Sequence, residues 1–187
     1  HIMIVDILFV VAILVCGSNS TEMVVPNIVH HTYDYQHPSY FLYLSIMTAQ
    51  FYLKPTKHFI WVNDEGRFRR GHWESWQANA AKGSWQSEFA ALLESGKIVA
   101  KLMTYPTHPP GNETTYVNEK AHRSDFLRFI VLKEHGGIYL DTDAFPTHSF
   151  DSLREHEFTM AFDNVVNSNK KAINALRLNN GVMLSAP

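Results

Sequence analysis

Cysteine is almost missing from this chain. Cys16 stands alone among 187 residues, so no intrachain disulfide can staple the fold. An excess of charge is lacking too. The 16 Lys and Arg stand against 18 Asp and Glu, for a net charge of −2, which argues against a nucleic-acid-binding or polybasic membrane surface. Arg67, Arg69 and Arg70 form the one small basic cluster, expected to be a solvated loop rather than a phosphate or acceptor contact. No apolar run reaches the roughly 20 residues that a bilayer-spanning helix needs. The longest, Ile7–Gly17, has the length of a signal-peptide core or the stub of a signal anchor, with a buried first strand as the alternative. Histidines number 11, yet no His-x-His or HExxH spacing marks a zinc site. His30 and His31, adjacent on a strand, point to opposite faces and do not easily share a metal.

What is present is a globular pattern. The chain is 45% hydrophobic and 13% aromatic, enough to bury a sizeable core. Strands are expected over Asn27–Thr32, His58–Val62, Lys97–Leu102, Ile138–Leu140, Phe158–Phe162 and Gly181–Leu184, where β-branched and aromatic residues cluster between turn signals. Helices are expected over Tyr40–Tyr52, Ser87–Glu94, Glu119–His135 and Lys170–Leu178, with Ser87 and Asn118 as candidate N-caps and Gly96 at a stop. Strand–helix alternation implies an α/β fold with a mostly parallel sheet and helices on both faces. No repeat, low-complexity tract or interdomain linker interrupts it.

The most informative block joins Ser124-Asp125-Phe126-Leu127-Arg128 to Gly136-Gly137-Ile138-Tyr139-Leu140-Asp141-Thr142-Asp143. It predicts a helix, a glycine break and a short strand with two carboxylates at its end. If the chain stays extended, Tyr139, Asp141 and Asp143 share one side. Carboxylates so close disfavour each other's ionised form unless a cation or water intervenes. A hard divalent ion, Mg²⁺ or Mn²⁺, suits such oxygens. Asp125 and Arg128, three apart, share a helix face inside an otherwise apolar run, where a charged pair needs a reason to be. Such strand ends are where open α/β sheets bind ligands.

This block resembles the nucleotide-sugar site of the DXD glycosyltransferases. Similar patterns occur in the Golgi α-1,4-galactosyl- and α-1,4-N-acetylglucosaminyltransferases, the yeast initiating α-1,6-mannosyltransferase and the large clostridial glucosylating toxins. Val25-Pro26-Asn27-Ile28-Val29-His30-His31-Thr32 is similar to the family's first strand, and Asn179-Asn180-Gly181-Val182-Met183-Leu184-Ser185 to a later Asn-Gly strand. The resemblance spans about residues 25 to 187, weakly in the middle third.

The resemblance implies a GT-A type, Rossmann-like fold and a metal-dependent transfer of a hexose or N-acetylhexosamine to a glycan, lipid or protein acceptor. UDP-sugars are favoured as donors because more of the resembling enzymes use them. Retention of configuration, giving an α-linkage, is implied as well. Asp143 is expected to ligate the metal directly and Asp141 to meet the ribose and metal region, though the two roles can be exchanged. Asp125 and Arg128 are expected to face the donor sugar, with Arg128 near phosphate and Ser124 beside them. Val29, His30 and Thr32 are the candidates for holding the nucleoside, with Tyr33 as its aromatic face and Asn180 near the donor sugar. Tyr139 either lines the site or is core, and Trp61 is expected in the core.

Residues 1–20 are expected to be a signal peptide or signal-anchor remnant, and residues 25–187 a catalytic domain whose relatives run longer. Sequons at Asn19-Ser20-Thr21 and Asn112-Glu113-Thr114 fit a lumenal, Golgi-membrane or secretory location. A catalytically incomplete binding module of the same fold is the rival reading. A phosphohydrolase is weakened because His30, His31 and Thr32, not a nucleophilic aspartate, come directly after Val29.

Overall fold

The computed structural model describes residues 23–35, 37–63, 81–166 and 172–187. The expected leader at 1–20, the Asn19 sequon and the cluster Arg67, Arg69 and Arg70 lie outside the described residues. Among those described, no helix is long and apolar enough to cross a membrane.

In chain order the elements are β1 (Ile28–Tyr33), α1 (Tyr40–Tyr52), β2 (Lys57–Asn63), α2 (Trp85–Glu94), β3 (Val99–Met103), α3 (Lys120–His135), β4 (Gly137–Leu140), the short α4 (Asp151–Arg154), β5 (Phe158–Val166) and β6 (Ala172–Ser185). The sheet order is β3-β2-β1-β4-β6-β5. The first four strands run parallel, and β6 and β5 complete the edge antiparallel.

Alternation along β1 decides which side chain meets which layer. Val29 and Tyr33 pack in the apolar clusters on the α1 side, with Ile46, Leu42 and Ile138. His30 and Thr32 face the layer of α3, meeting Gly136 and Ser124. Leu127 and Val131 of α3 are fully buried against Trp61 and Tyr105, each such side chain stabilising by roughly 1.5–3 kcal/mol. Trp61 is core, as expected, with 5% of its surface exposed.

Three expectations are corrected. Of the helix expected over Lys170–Leu178, the described residues from Ala172 onward form a strand instead, pairing with β5, Asn179 opposite Ala161 and Leu178 opposite Phe162. Ladder pairing with a distant strand overrides the local helical spacing. Ser84, not Ser87, caps α2, its side chain accepting from the Ser87 backbone N–H. Asn118 does not cap α3, which begins after Glu119 without a side-chain cap. Gly136, with φ of 61°, ends α3 in the left-handed conformation that favours glycine.

Candidate active site

Strand order reverses between β1 and β4: β2 and β3 extend one way from β1, while β6 and β5 extend the other way from β4. Such switch points open a crevice beyond the carboxyl ends of the strands. A cleft of about 510 Å³ occupies that place, lined from the β1 end by Thr32, Asp34 and Tyr35 and from the β4 end by Asp141, Thr142 and Asp143. A smaller cavity of about 190 Å³, bounded by Leu140, Phe150 and Leu184, has no carboxylate in its wall.

Beyond Leu140 the chain does not stay extended. Ala144 N–H donates to the Asp141 carbonyl at 3.0 Å, closing a turn, and Ser45 of α1 ties that turn down by donating to the Ala144 carbonyl at 2.6 Å. Both Asp141 and Asp143 nonetheless line the cleft. The turn, not strand alternation, brings them together.

Arg128 is the hub. Its side chain is only 6% exposed. Nη2 lies 3.1 Å from Asp125 Oδ1, and Nη1 lies 3.2 Å from Asp141 Oδ1. Nη1 also donates to the Asn180 carbonyl at 2.7 Å and to its Oδ1 at 3.0 Å. Asn180 Nδ2 returns a bond to Asp125 Oδ1 at 3.0 Å. The planar fork thus holds α3, β4 and β6 in one network, a task a lysine cannot copy. Arg128 lines the cleft, and its guanidinium is held there by the protein's own carboxylates.

Tyr139 stands behind this wall. It is 1% exposed, its ring lies 4.6 Å from the Arg128 guanidinium, and its hydroxyl donates to Asp141 Oδ1 at 2.8 Å. Burial is the main cause that raises its phenol above the usual range, outweighing the lowering effect of Arg128, so the hydroxyl stays a donor.

Of the residues expected to hold the nucleoside, Thr32 and Tyr33 line the cleft, while Val29 and His30 do not. Val29 is 0% exposed and packs with Ile138 and Leu140 on the opposite face. His30 is also fully buried, with both ring nitrogens occupied: Nε2 meets the Gly136 carbonyl at 2.9 Å, and Nδ1 accepts from Trp61 Nε1 at 3.1 Å. Those partners fix a neutral tautomer with the proton on Nε2. Tyr33 is a wall of the cleft but only 4% exposed, its hydroxyl spent on the His37 carbonyl.

The residues beside it complete this end of the cleft without being among those expected from sequence. Tyr35 is 66% exposed at the cleft and tilts against Tyr33 at 5.4 Å. Asp34 sits 3.4 Å from Lys120 Nζ, a charge contact rather than a hydrogen bond. A polar and aromatic run directly after a first strand was the available signal.

The residues fit a divalent cation partly supplied by its ligand. Asp141 Oδ1 is committed inward, while Oδ2 lies beside the Cα of Gly181 with no protein donor among the described residues. No group of three or more His, Cys, Asp or Glu gathers as a cage among those residues. Two carboxylates in an open cleft match the habit of Mg²⁺ or Mn²⁺, which keep waters and share ligation with phosphates.

Comparison with known proteins gives the family and the fold. A sequence model described as the glycosyltransferase sugar-binding region containing DXD motif matches residues 53–159. Glucan organizing enzyme 1 of Cryptococcus neoformans var. grubii serotype A is 36% identical over 67 residues, covering 36% of this chain and 18% of that protein. Among solved structures, the PaToxG glycosyltransferase is 16% identical with a TM-score of 0.50, over 86% of this chain and 55% of that one. The galactosyltransferase LgtC with donor and acceptor sugar analogs has a TM-score of 0.41 at 14% identity, over 85% of this chain and 57% of that one. The chain therefore spans about half the length of the solved structures it matches, and less of the curated relative. The shared architecture is the GT-A type.

Proposed function

Because the chain belongs to the family of glycosyltransferase sugar-binding regions containing a DXD motif, we propose that its cleft binds a nucleotide-sugar with a divalent metal and transfers the sugar to an acceptor hydroxyl. The observation that carries this reading is the pair Asp141 and Asp143 on a cleft at the sheet's switch point, with Asp141 oriented from behind by Arg128 and Tyr139.

Each end of the cleft has its own chemistry. At the β1 end, Tyr35 offers an exposed ring for a nucleobase and Thr32 and Ser124 offer hydroxyls. At the β4 end, Asp141 and Asp143 would hold Mn²⁺ or Mg²⁺. When bound, the metal supplies Lewis-acid stabilisation of the diphosphate as the glycosidic bond breaks. Asp125, held through Oδ1 by Arg128 and Asn180, keeps its other oxygen for sugar hydroxyls. A hexose or N-acetylhexosamine from a UDP-sugar is the proposed donor group, transferred to a glycan, lipid or protein with retention as an α-linkage. A lumenal secretory or Golgi-membrane location is part of the same reading, supported by the exposed sequon at Asn112.

Calorimetric titration of UDP, with and without Mn²⁺, tests the donor site. Metal-dependent binding abolished in an Asp141→Ala/Asp143→Ala double variant is the expected result, followed by turnover in a panel of UDP-sugars. Folded protein that binds neither UDP nor GDP would overturn the reading. Binding without turnover of any sugar nucleotide would favour a non-catalytic module instead.

A further inference from the structure

Three hydroxyls behind the carboxylates form a continuous hydrogen-bonded chain. Thr32 Oγ1 lies 2.6 Å from Ser124 Oγ and 2.8 Å from the Tyr139 hydroxyl, which in turn donates to Asp141 Oδ1. The supply of protons gives this chain a direction. An ionised carboxylate only accepts, so the single Tyr139 hydrogen is spent on Asp141. Thr32 must then donate to Tyr139, and Ser124 to Thr32.

We propose that this one-way hydroxyl chain is a positioning device that turns Oδ1 of Asp141 inward and leaves Oδ2 alone facing the cleft. Tyr139 and Thr32 are its positioning residues. The inference rests on the reading of Asp141 as part of a nucleotide–metal site. An aspartate carboxyl rotates freely over a broad torsional range, so an unsupported Asp141 would offer either oxygen, or both, to an incoming cation. Arg128 restrains Oδ1 as well, but at 3.2 Å rather than the 2.8 Å of the Tyr139 bond. Tyr139 is 1% exposed and Thr32 6%, so water has little access to replace either link. On the other flank, Gly181 leaves the space Oδ2 needs: a Cβ there would stand 2.9 Å from it.

Core packing alone could also place a tyrosine hydroxyl against a carboxylate, and the test separates the two. Mn²⁺ is titrated with UDP present, followed by electron paramagnetic resonance, in wild type, Tyr139→Phe, Thr32→Val and Thr32→Ser, with urea unfolding run in parallel. Tyr139→Phe is expected to weaken Mn²⁺ by about tenfold or more, as removal of a partner behind a metal ligand does. Thr32→Val, which never touches Asp141, is expected to lose about threefold through the weakened link, and Thr32→Ser to restore it. UDP affinity without metal stays unchanged in Tyr139→Phe, whose hydroxyl lies behind Asp141 rather than on the cleft. Wild-type affinity in both Tyr139→Phe and Thr32→Val overturns the positioning chain and leaves the donor-site reading standing. A loss in Thr32→Ser equal to that in Thr32→Val overturns it too, since the methyl group would then be the important part. No Mn²⁺ uptake by the wild type overturns both.

Discussion

Arg128 stands between Asp125 and Asp141, with Nη2 3.1 Å from the first and Nη1 3.2 Å from the second. Two carboxylates from different elements are thus oriented by one buried cation. Each gives one oxygen to the guanidinium, so what the cleft receives is set from inside the protein.

Removing that cation should cost both stability and binding. Arg128→Ala leaves Asp125 and Asp141 without their shared partner and strips Asn180 of a donor. A loss of about 2–3 kcal/mol is expected in urea unfolding, below the penalty for a fully buried pair because both carboxylate side chains are 36% exposed. Arg128→Lys keeps the charge but not the fork. It should recover part of the stability while Mn²⁺-dependent UDP binding stays weakened at least tenfold. Equal binding by Arg128→Lys and wild type would mean that charge alone suffices.

Gly137 and Gly181 should fail in opposite ways when given a methyl group. At Gly137, φ is +108° and the new Cβ would stand 2.5 Å from the Ile28 backbone carbonyl, which cannot move without breaking the β1–β4 pairing. Gly137→Ala is expected to destabilise by about 2–4 kcal/mol, combining backbone strain with overpacking. At Gly181 the clashing atoms are side-chain ends, Asp141 Oδ2 and Asn179 Oδ1, both at 2.9 Å. They can swing away. Gly181→Ala should keep a near-native urea midpoint yet bind Mn²⁺ poorly, because the oxygen displaced is the one the cleft needs. Calorimetry alongside unfolding would show whether the two effects separate.

These contrasts also mark what was legible in the sequence. The helix, glycine break and strand of residues 124–143 could be read because their chemistry is local: Asp125 and Arg128 lie one turn apart, and Gly136 ends a helix as glycine does. The long β6 could not. Its pairing with β5 is non-local, and Ala172-Ile173-Asn174-Ala175-Leu176 carries helical spacing that only the partner strand overrules. Period-2 alternation already separates Val29 from His30, so both could not line one cleft. That His30 is spent on Gly136 and Trp61 depends on neighbours 106 and 31 positions away. Tyr35 and Asp34 escaped notice because a loop's role depends on what it faces, here Lys120 at the start of α3.

His30, His31 and His58 make stability depend on pH in a definite direction. All three are at most 1% exposed, and burial lowers their pKa values: His30 and His31 from 6.5 to about 4, His58 well below its ordinary value. The rings of His31 and His58 stack at 5.0 Å, so the charging of one opposes that of the other. His31 Nε2 has no hydrogen-bond partner, so no acceptor waits there for an added proton, and His58 Nδ1, which accepts from Gln50 Nε2 at 3.0 Å, already faces a donor. The folded chain therefore binds fewer protons than the unfolded chain below pH 6.5. Stability is fully present above that pH and falls as pH drops from about 6.5 toward 4. For His30 and His31 together the loss is on the order of a few kcal/mol. Against a usual total of about 5–15 kcal/mol, this should bring acid unfolding into the pH 4–6 window. Urea midpoints at pH 7.5, 6.0 and 5.0 should decline steadily below pH 6.5, and a flat profile would mean that the histidines titrate normally in the folded chain.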